Sequence, residues 1–299
     1  PPPGRIEGGR ILVEEDGKEV DMLQQKDVLL RRIRGRDISM VFQDPRSALN
    51  PVYSAGDQII EALMHHKTKE MVQRAIETID NDIKAAKEER ERETKEKKIE
   101  ENVTEKKDKT AKPVKKKVRK VGVLRRFHKR VLQKFLIKPH SPQLALVREI
   151  PILRGYRRLV KEEAKKEAVR MLRMMRIPDP ERVVNMYPHE LSGGMAQRVV
   201  IAMGLACNPE ILIADEPTTN LDVTVQQQIL QLIKELKDEF SSSIVYITHD
   251  MGVIAEMCDR VAVMYAGTVV ELSEVKELFS SPLHPYTKAL LESIPRPGG

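Results

Sequence analysis

Tryptophan is absent from the 299 residues, aromatic side chains make up 4%, and there are two cysteines, Cys207 and Cys258. Their spacing suits neither a metal site nor a disulfide framework, so both read as small buried hydrophobes in a reducing compartment. No apolar run approaches the ~20 residues that a membrane-spanning helix needs, and no stretch reads as a secretory leader. Acidic residues are missing between positions 112 and 138. A Gly-x4-Gly-Lys-[Ser/Thr] loop, which wraps backbone N–H groups around nucleotide phosphates, occurs nowhere in the chain. Together these gaps exclude a disulfide-stapled module and a chain that crosses a bilayer as a helix.

What is present is enough for one large or two modest domains, with 40% hydrophobic and 32% charged residues. The chain opens on Pro1-Pro2-Pro3-Gly4 and stops at Pro297-Gly298-Gly299. Both read as connectors, so a fragment cut at both ends is expected. Residues 9–23 read as a hairpin turning at Asp16-Gly17. Ile38 to Phe42 reads as a short strand ending at Gln43, followed by loop at Asp44-Pro45 and Asn50-Pro51 and a helix from about Asp57 to Met64. Helical periodicity returns around Lys161–Met175. Beyond it come a helix (193–206), a strand (211–215), a helix (223–238), a strand (243–247), a helix (251–257) and a hairpin (260–272) turning at Ala266-Gly267. Strands alternating with helices of these lengths imply an α/β parallel sheet covered on both faces.

Charge is unevenly spread. Residues 66–140 hold 25 Lys and Arg against 13 Asp and Glu, so the chain's net charge of +7 belongs to this segment and the remainder is net acidic. Residues 66–111 are balanced at 13 and 13, a pattern of a solvated helix or of disorder. Residues 112–138 carry 12 basic residues interleaved with Val121, Leu124, Phe127, Val131, Leu132 and Phe135.

Two strings carry chemistry. Ile211-Leu212-Ile213-Ala214-Asp215-Glu216 is an apolar run ending in two carboxylates. Asp215 would sit at a strand's carboxyl end, where open α/β sheets bind ligands and a carboxylate can hold Mg²⁺. Glu216 is one residue on and could polarise an attacking water. The bland alternative, two capping acids before Pro217, does not account for an entirely apolar strand. Leu191-Ser192-Gly193-Gly194-Met195-Ala196-Gln197-Arg198 opens a helix, whose free N–H groups and dipole suit an anion. An ordinary N-cap turn would read the same in isolation. Gln43 and His249 each follow a strand, within reach of a metal, a water or a γ-phosphate; taken alone, either would be an ordinary loop residue.

In combination these strings resemble the ATP-binding subunit of ABC transporters, in the oligopeptide/dipeptide/nickel importer branch. Residues 191–198 resemble the signature motif, Ile211–Glu216 the Walker B strand, Asn220-Leu221-Asp222 the D-loop, His249 the switch histidine and Gln43 the Q-loop glutamine. The branch is indicated by Phe42-Gln43-Asp44-Pro45, by residues 47–51 and 218–226, and by Pro282-Leu283-His284-Pro285-Tyr286-Thr287-Lys288-Ala289-Leu290-Leu291. The resemblance covers about residues 1–63 and 160–299. It implies a P-loop NTPase (RecA-like) ABC ATPase core with a helical subdomain, missing the Walker A strand-loop-helix. The implied organisation is an N-terminal core part with hairpin and Q-loop (1–63), a Lys/Glu-rich insertion (64–140), a helical subdomain (141–190), a core with signature, Walker B, D-loop and H-loop (191–275) and a peptide-importer extension (276–299).

The resemblance also implies roles. Glu216 would be the catalytic base, with His249 and Gln43 also catalytic. Asp215 and Gln43 would hold Mg²⁺. Ser192, Gly193, Gly194, Gln197 and Asp222 would contact ATP. Implied partners are a second ABC ATPase subunit, two transmembrane permease subunits and an extracytoplasmic solute-binding protein, at the cytoplasmic face of the plasma membrane. A phosphate loop supplies hydrogen bonds to charged groups worth roughly 1.5–3 kcal/mol each, so lacking four or more removes on the order of 6–12 kcal/mol, comparable with a whole micromolar complex. The chain alone is therefore expected to bind ATP poorly. Two other readings stand beside this one: a non-transport ABC ATPase acting on nucleic acid or ribosomes, and a non-catalytic signature donor in a heterodimer. The basic run 112–138 suits anionic lipid, nucleic acid or no specific partner.

Overall fold

The computed structural model describes residues 6, 8–15, 17–103, 113–137, 155–219 and 221–293. Asp16 of the expected hairpin turn and Asn220 of the Asn-Leu-Asp string lie outside the described residues. The strands are β1 (Leu12–Glu15), β2 (Lys18–Asp21), β3 (Ile38–Val41), β4 (Ile211–Asp215), β5 (Ser243–Ile247), β6 (Arg260–Tyr265) and β7 (Thr268–Glu274). The helices are α1 (Asp27–Ile33), α2 (Pro45–Ala48), α3 (Ala55–His66), α4 (Thr68–Val103), α5 (Pro113–Ile137), α6 (Gly155–Met174), α7 (Pro180–Val183), α8 (Gly193–Leu205), α9 (Val223–Phe240), α10 (Met251–Met257), α11 (Val275–Ser280) and α12 (Pro285–Glu292). The chain divides into one unit of residues 1–62 and 171–299 and a second of residues 63–170.

In the first unit, β3, β4 and β5 form a parallel sheet in that order, with Val41, Ala214 and Tyr246 in register. β1–β2 and β6–β7 are separate antiparallel hairpins. Side chains alternate across a strand, and the parity containing Val41, Leu212 and Ala214 is buried, next to Gly204 of α8. α9 buries Ile229, Leu230, Leu232, Ile233 and Leu236, a spacing that lays one stripe of a 3.6-residue helix on the core. At the start of α3, Gly56 lies so close to the Val184 carbonyl that a Cβ would fall 2.4 Å from its oxygen, and its N–H donates to that oxygen at 2.9 Å.

The expectation of a sheet covered on both faces needs correction. The opposite parity includes Met40, Val245 and Ile247, which are 37%, 50% and 48% exposed. Alternation sorts the side chains onto two faces; among the described residues α8 lies against one of them, and Val245 and Ile247 on the other stay exposed. Of the described strands, β5 pairs only with β4 and β6 only with β7. Residues of both β5 and β6 line an open groove of about 1240 Å³.

The second unit is helical. The charge-balanced segment forms α4, whose Met71, Val72, Ala75, Ile76 and Ile79 are buried. Beyond Ile79 the described side chains of α4 are no longer buried, and the charge pattern is that of a solvated helix. α5 packs on α4 and buries His128, Val131 and Leu132. Lys129 pairs with Asp80 at 2.6 Å, and Arg125 pairs with Asp82. The middle of α6 carries Glu163 and Glu167, which accept from Thr78 at 3.0 Å and from Arg74 at 2.5 Å. Burial disfavours the charged Glu167 carboxyl, and Arg170 and Arg74 together outweigh it and hold the carboxyl below its ordinary range. α6 begins at Gly155, earlier than the periodicity from Lys161 indicates, and α3 begins at Ala55.

Candidate functional site

β4 delivers two carboxylates at its carboxyl end. Asp215 closes the strand in register with Ile247 and is half-buried. Glu216 follows with φ of 42°, a left-handed conformation that costs a non-glycine residue roughly 1–2 kcal/mol. Its N–H donates to the Ile247 carbonyl at 2.8 Å, which ties the turn to β5 and holds the strained residue in place.

Three side chains converge on the Glu216 carboxylate. His249 Nδ1 lies 2.8 Å from Oε1. Gln43 Nε2 donates to Oε2 at 2.6 Å, and Thr219 Oγ1 donates to the same oxygen at 2.9 Å. The contact with His249 is the largest influence holding the Glu216 carboxyl below its ordinary range; Thr219 and Gln43 add to it and desolvation opposes it. The carboxylate is therefore ionised at neutral pH. The His249 side chain is 81% exposed, so solvent and an incoming phosphate can reach it. An ionised, oriented carboxylate beside an exposed imidazole can align a water and accept its proton.

A divalent cation fits the same strand end. Gln43 uses its amide nitrogen on Glu216, so its side-chain carbonyl oxygen is not engaged in that bond, and Asp215 closes the neighbouring strand. Hard oxygen donors of this kind suit Mg²⁺, which is held by one or two carboxylates plus substrate phosphates. Among the described residues no group of three or more His, Cys, Asp or Glu is arranged for a metal, and a site completed by phosphate does not need one.

The glycine string sits at the start of α8. Ser192 is the N-cap, its Oγ accepting from the Met195 N–H at 3.3 Å, and Gly193 and Gly194 are the first helical residues. Gly194 has a packing reason to lack a side chain: a Cβ there would lie 2.9 Å from Val225 Cγ1. Gly193 faces Leu221, with 3.7 Å available. Asp222 caps α9, accepting from the Val225 N–H at 2.9 Å. Gln197 is 1% exposed, and its side-chain nitrogen has no partner among the described residues. Arg198 reaches back to the Met175 carbonyl at 2.6 Å and to Gln228 at 3.2 Å. Among the described residues, the hydrogen bonds of Ser192 and Asp222 stay within their own helix starts, and the Gln197 side-chain nitrogen has no partner.

Two features of this cluster carry little signal in the sequence. Thr219 appeared only as part of a family string, although a hydroxyl three residues after a carboxylate is within turn reach of it. The left-handed conformation of Glu216 has no signal beyond Pro217, which ends the strand.

Residues 5–219 match the ABC transporter family, and residues 270–299 match the C-terminal region of oligopeptide/dipeptide transporters. The oligopeptide transport ATP-binding protein OppD of Bacillus subtilis is 38% identical over 294 residues, 98% of this chain and 56% of OppD. The dipeptide transport ATP-binding protein DppD of the same organism is 37% identical over 292 residues, 98% of this chain and 59% of DppD. The chain thus spans little more than half the length of these relatives. A dimeric post-hydrolysis state of the ATP-binding cassette MJ0796, bound to ADP and Pi, shares the fold with a TM-score of 0.50 at 22% identity, covering 88% of this chain and 73% of that one. The family match takes in the Gln43 strand, the glycine string and the Glu216–Thr219 turn together, and on that ground the chain belongs to the ABC transporter family.

Proposed function

We propose that this chain is part of the ATP-hydrolysing subunit of a peptide importer, working at the cytoplasmic face of a membrane. The observation that carries the reading is the Glu216 carboxylate held by Gln43, Thr219 and His249 at the end of β4. The names of OppD and DppD and the match over residues 270–299 support peptides as the transported class. Glu216 orients the attacking water and takes its proton. His249 holds the Glu216 carboxylate and meets the γ-phosphate. Asp215 and the Gln43 carbonyl are the residues that hold Mg²⁺, which when bound neutralises charge on the phosphates. Ser192 and the first N–H groups of α8 face the nucleotide of a second ATPase subunit, with Gln197 and Asp222 supporting that helix start. Two transmembrane permease subunits and an extracytoplasmic solute-binding protein complete the assembly.

In the intact transporter, Glu216→Gln is expected to keep ATP binding and lower hydrolysis and peptide uptake by roughly 10²-fold or more. Turnover within a factor of about two of the wild type would remove Glu216 from this role. The 299-residue chain by itself is expected to bind ATP more weakly than ~1 mM in calorimetry, because the nest of phosphate-loop donors is not in its sequence. A micromolar dissociation constant would show that other groups supply those bonds.

One second reading has an observation in its favour. Ser192 caps a 13-residue helix whose leading N–H groups are free of the Glu216 cluster, so the chain can serve as a signature donor to a partner's ATP.

A further inference from the structure

We propose that α5 is a docking face for an anionic lipid surface. Between residues 112 and 138 there are 12 Lys and Arg and no Asp or Glu. The helix spans 25 residues, about 37 Å at 1.5 Å per residue. Its apolar anchor is accounted for, since His128, Val131 and Leu132 are buried and α5 packs on α4. Of the acidic groups on α4, Asp80 and Asp82 are taken by Lys129 and Arg125. Arg126 and Arg130, one turn apart, are exposed. Lys115, Lys116, Lys117, Arg119 and Lys120 fall within six residues of the same helix. Ile137 at its carboxyl end is 77% exposed.

The rest of the composition separates lipid from nucleic acid. Residues 112–138 contain no Ser, Thr, Asn, Tyr or Trp, and Gln133 is the only side-chain amide. A surface built to bind RNA or DNA uses such groups, and exposed aromatic rings, for sugars and bases. Phe127 and Phe135 are half-buried. Long basic side chains on apolar stems, with almost no neutral polar groups beside them, are the composition of a helix lying on an anionic interface. Lipid is chosen over an acidic protein because the proposed importer role puts the chain beside a membrane. Vesicle binding needs no ATP hydrolysis, so this proposal can fail while the catalytic reading stands, and the reverse.

The test is co-sedimentation of the full 299-residue chain with vesicles of phosphatidylcholine alone or mixed with phosphatidylserine. Binding is expected only to the mixed vesicles, and release is expected between about 0.1 M and about 1 M salt, where the screening length falls from ~10 Å to ~3 Å. Each charge removed should weaken partitioning about fivefold. On that scale Arg126→Gln with Arg130→Gln gives roughly 25-fold, and the triple change Lys115→Gln, Lys116→Gln and Lys117→Gln roughly 100-fold. The salt release of the unmodified chain does not depend on any variant folding. Equal binding to both vesicle types, no binding to mixed vesicles, displacement by homopolymeric RNA, or variants that bind like wild type with unchanged helical circular dichroism would each overturn the proposal.

Discussion

Replacing Gly194 by alanine sets two opposing effects against each other at the start of α8. Alanine is favoured over glycine inside a helix by about 1 kcal/mol. The new methyl group would lie 2.9 Å from Val225 Cγ1, well inside the ~3.5–4.0 Å of ordinary carbon contacts. Val225 belongs to the first turn of α9, and its N–H is the one that Asp222 caps. Pushing it aside overpacks the junction, at roughly 1–3 kcal/mol, and loosens a cap worth about 1 kcal/mol. The net expectation is a loss of about 1–2 kcal/mol. Val225→Ala removes the methyl group responsible. In that background the same Gly194→Ala change should reverse sign and stabilise by up to ~1 kcal/mol. Urea denaturation of the four proteins, followed by circular dichroism, gives the coupling directly, and about 2 kcal/mol is expected. If Gly194→Ala has the same sign and size in both backgrounds, within ~0.5 kcal/mol, close packing is not why glycine stands there.

Two further outcomes follow from the same geometry. Because the folded state favours the ionised Glu216, that carboxyl contributes stability above the pH at which an unfolded glutamate titrates, and this is lost as pH falls through its depressed folded value. Carboxyl-carbon NMR should find its midpoint below that of an ordinary glutamate and find it raised in His249→Ala; an unchanged midpoint would dismiss the His249 contact. Tyr246 has a buried hydroxyl with no partner among the described residues, and burial raises its pKa. Tyr246→Phe should therefore leave stability unchanged or raise it by up to ~1 kcal/mol in thermal unfolding; a clear loss would mean that the hydroxyl has a partner.

The sequence made the parts of the core legible where a period and a punctuation mark coincide. Ile211–Asp215 and Ser243–Ile247 are apolar runs closed by a carboxylate and a hydroxyl, and both are strands with those bounds. Met251–Met257 follows an Asp that caps it. Gln43 and His249 each stood after a strand, which gave their place along the chain; that both turn onto one carboxylate is a matter of strand order, and no local pattern encodes strand order. The buried face of α4 was hidden because Met71, Val72, Ala75, Ile76 and Ile79 sit among charges that dominate the composition. Which face of the sheet stays open is not legible, for the converse reason. Met40, Val245 and Ile247 look like core residues, and their exposure depends on what packs over them.

The separation along the chain between the site's members sets an order in time. Gln43 and Glu216 lie 173 residues apart, and β3 meets β4 across the same interval. At about 5–20 residues per second of synthesis, β3 waits on the order of 10–30 s for its neighbour, and His249 emerges later still. Helices close in microseconds, so the segment made in between can settle long before β4 is available. The Glu216 cluster thus forms only after His249 has been made, and the growing chain must keep β3 from pairing with anything else until β4 arrives.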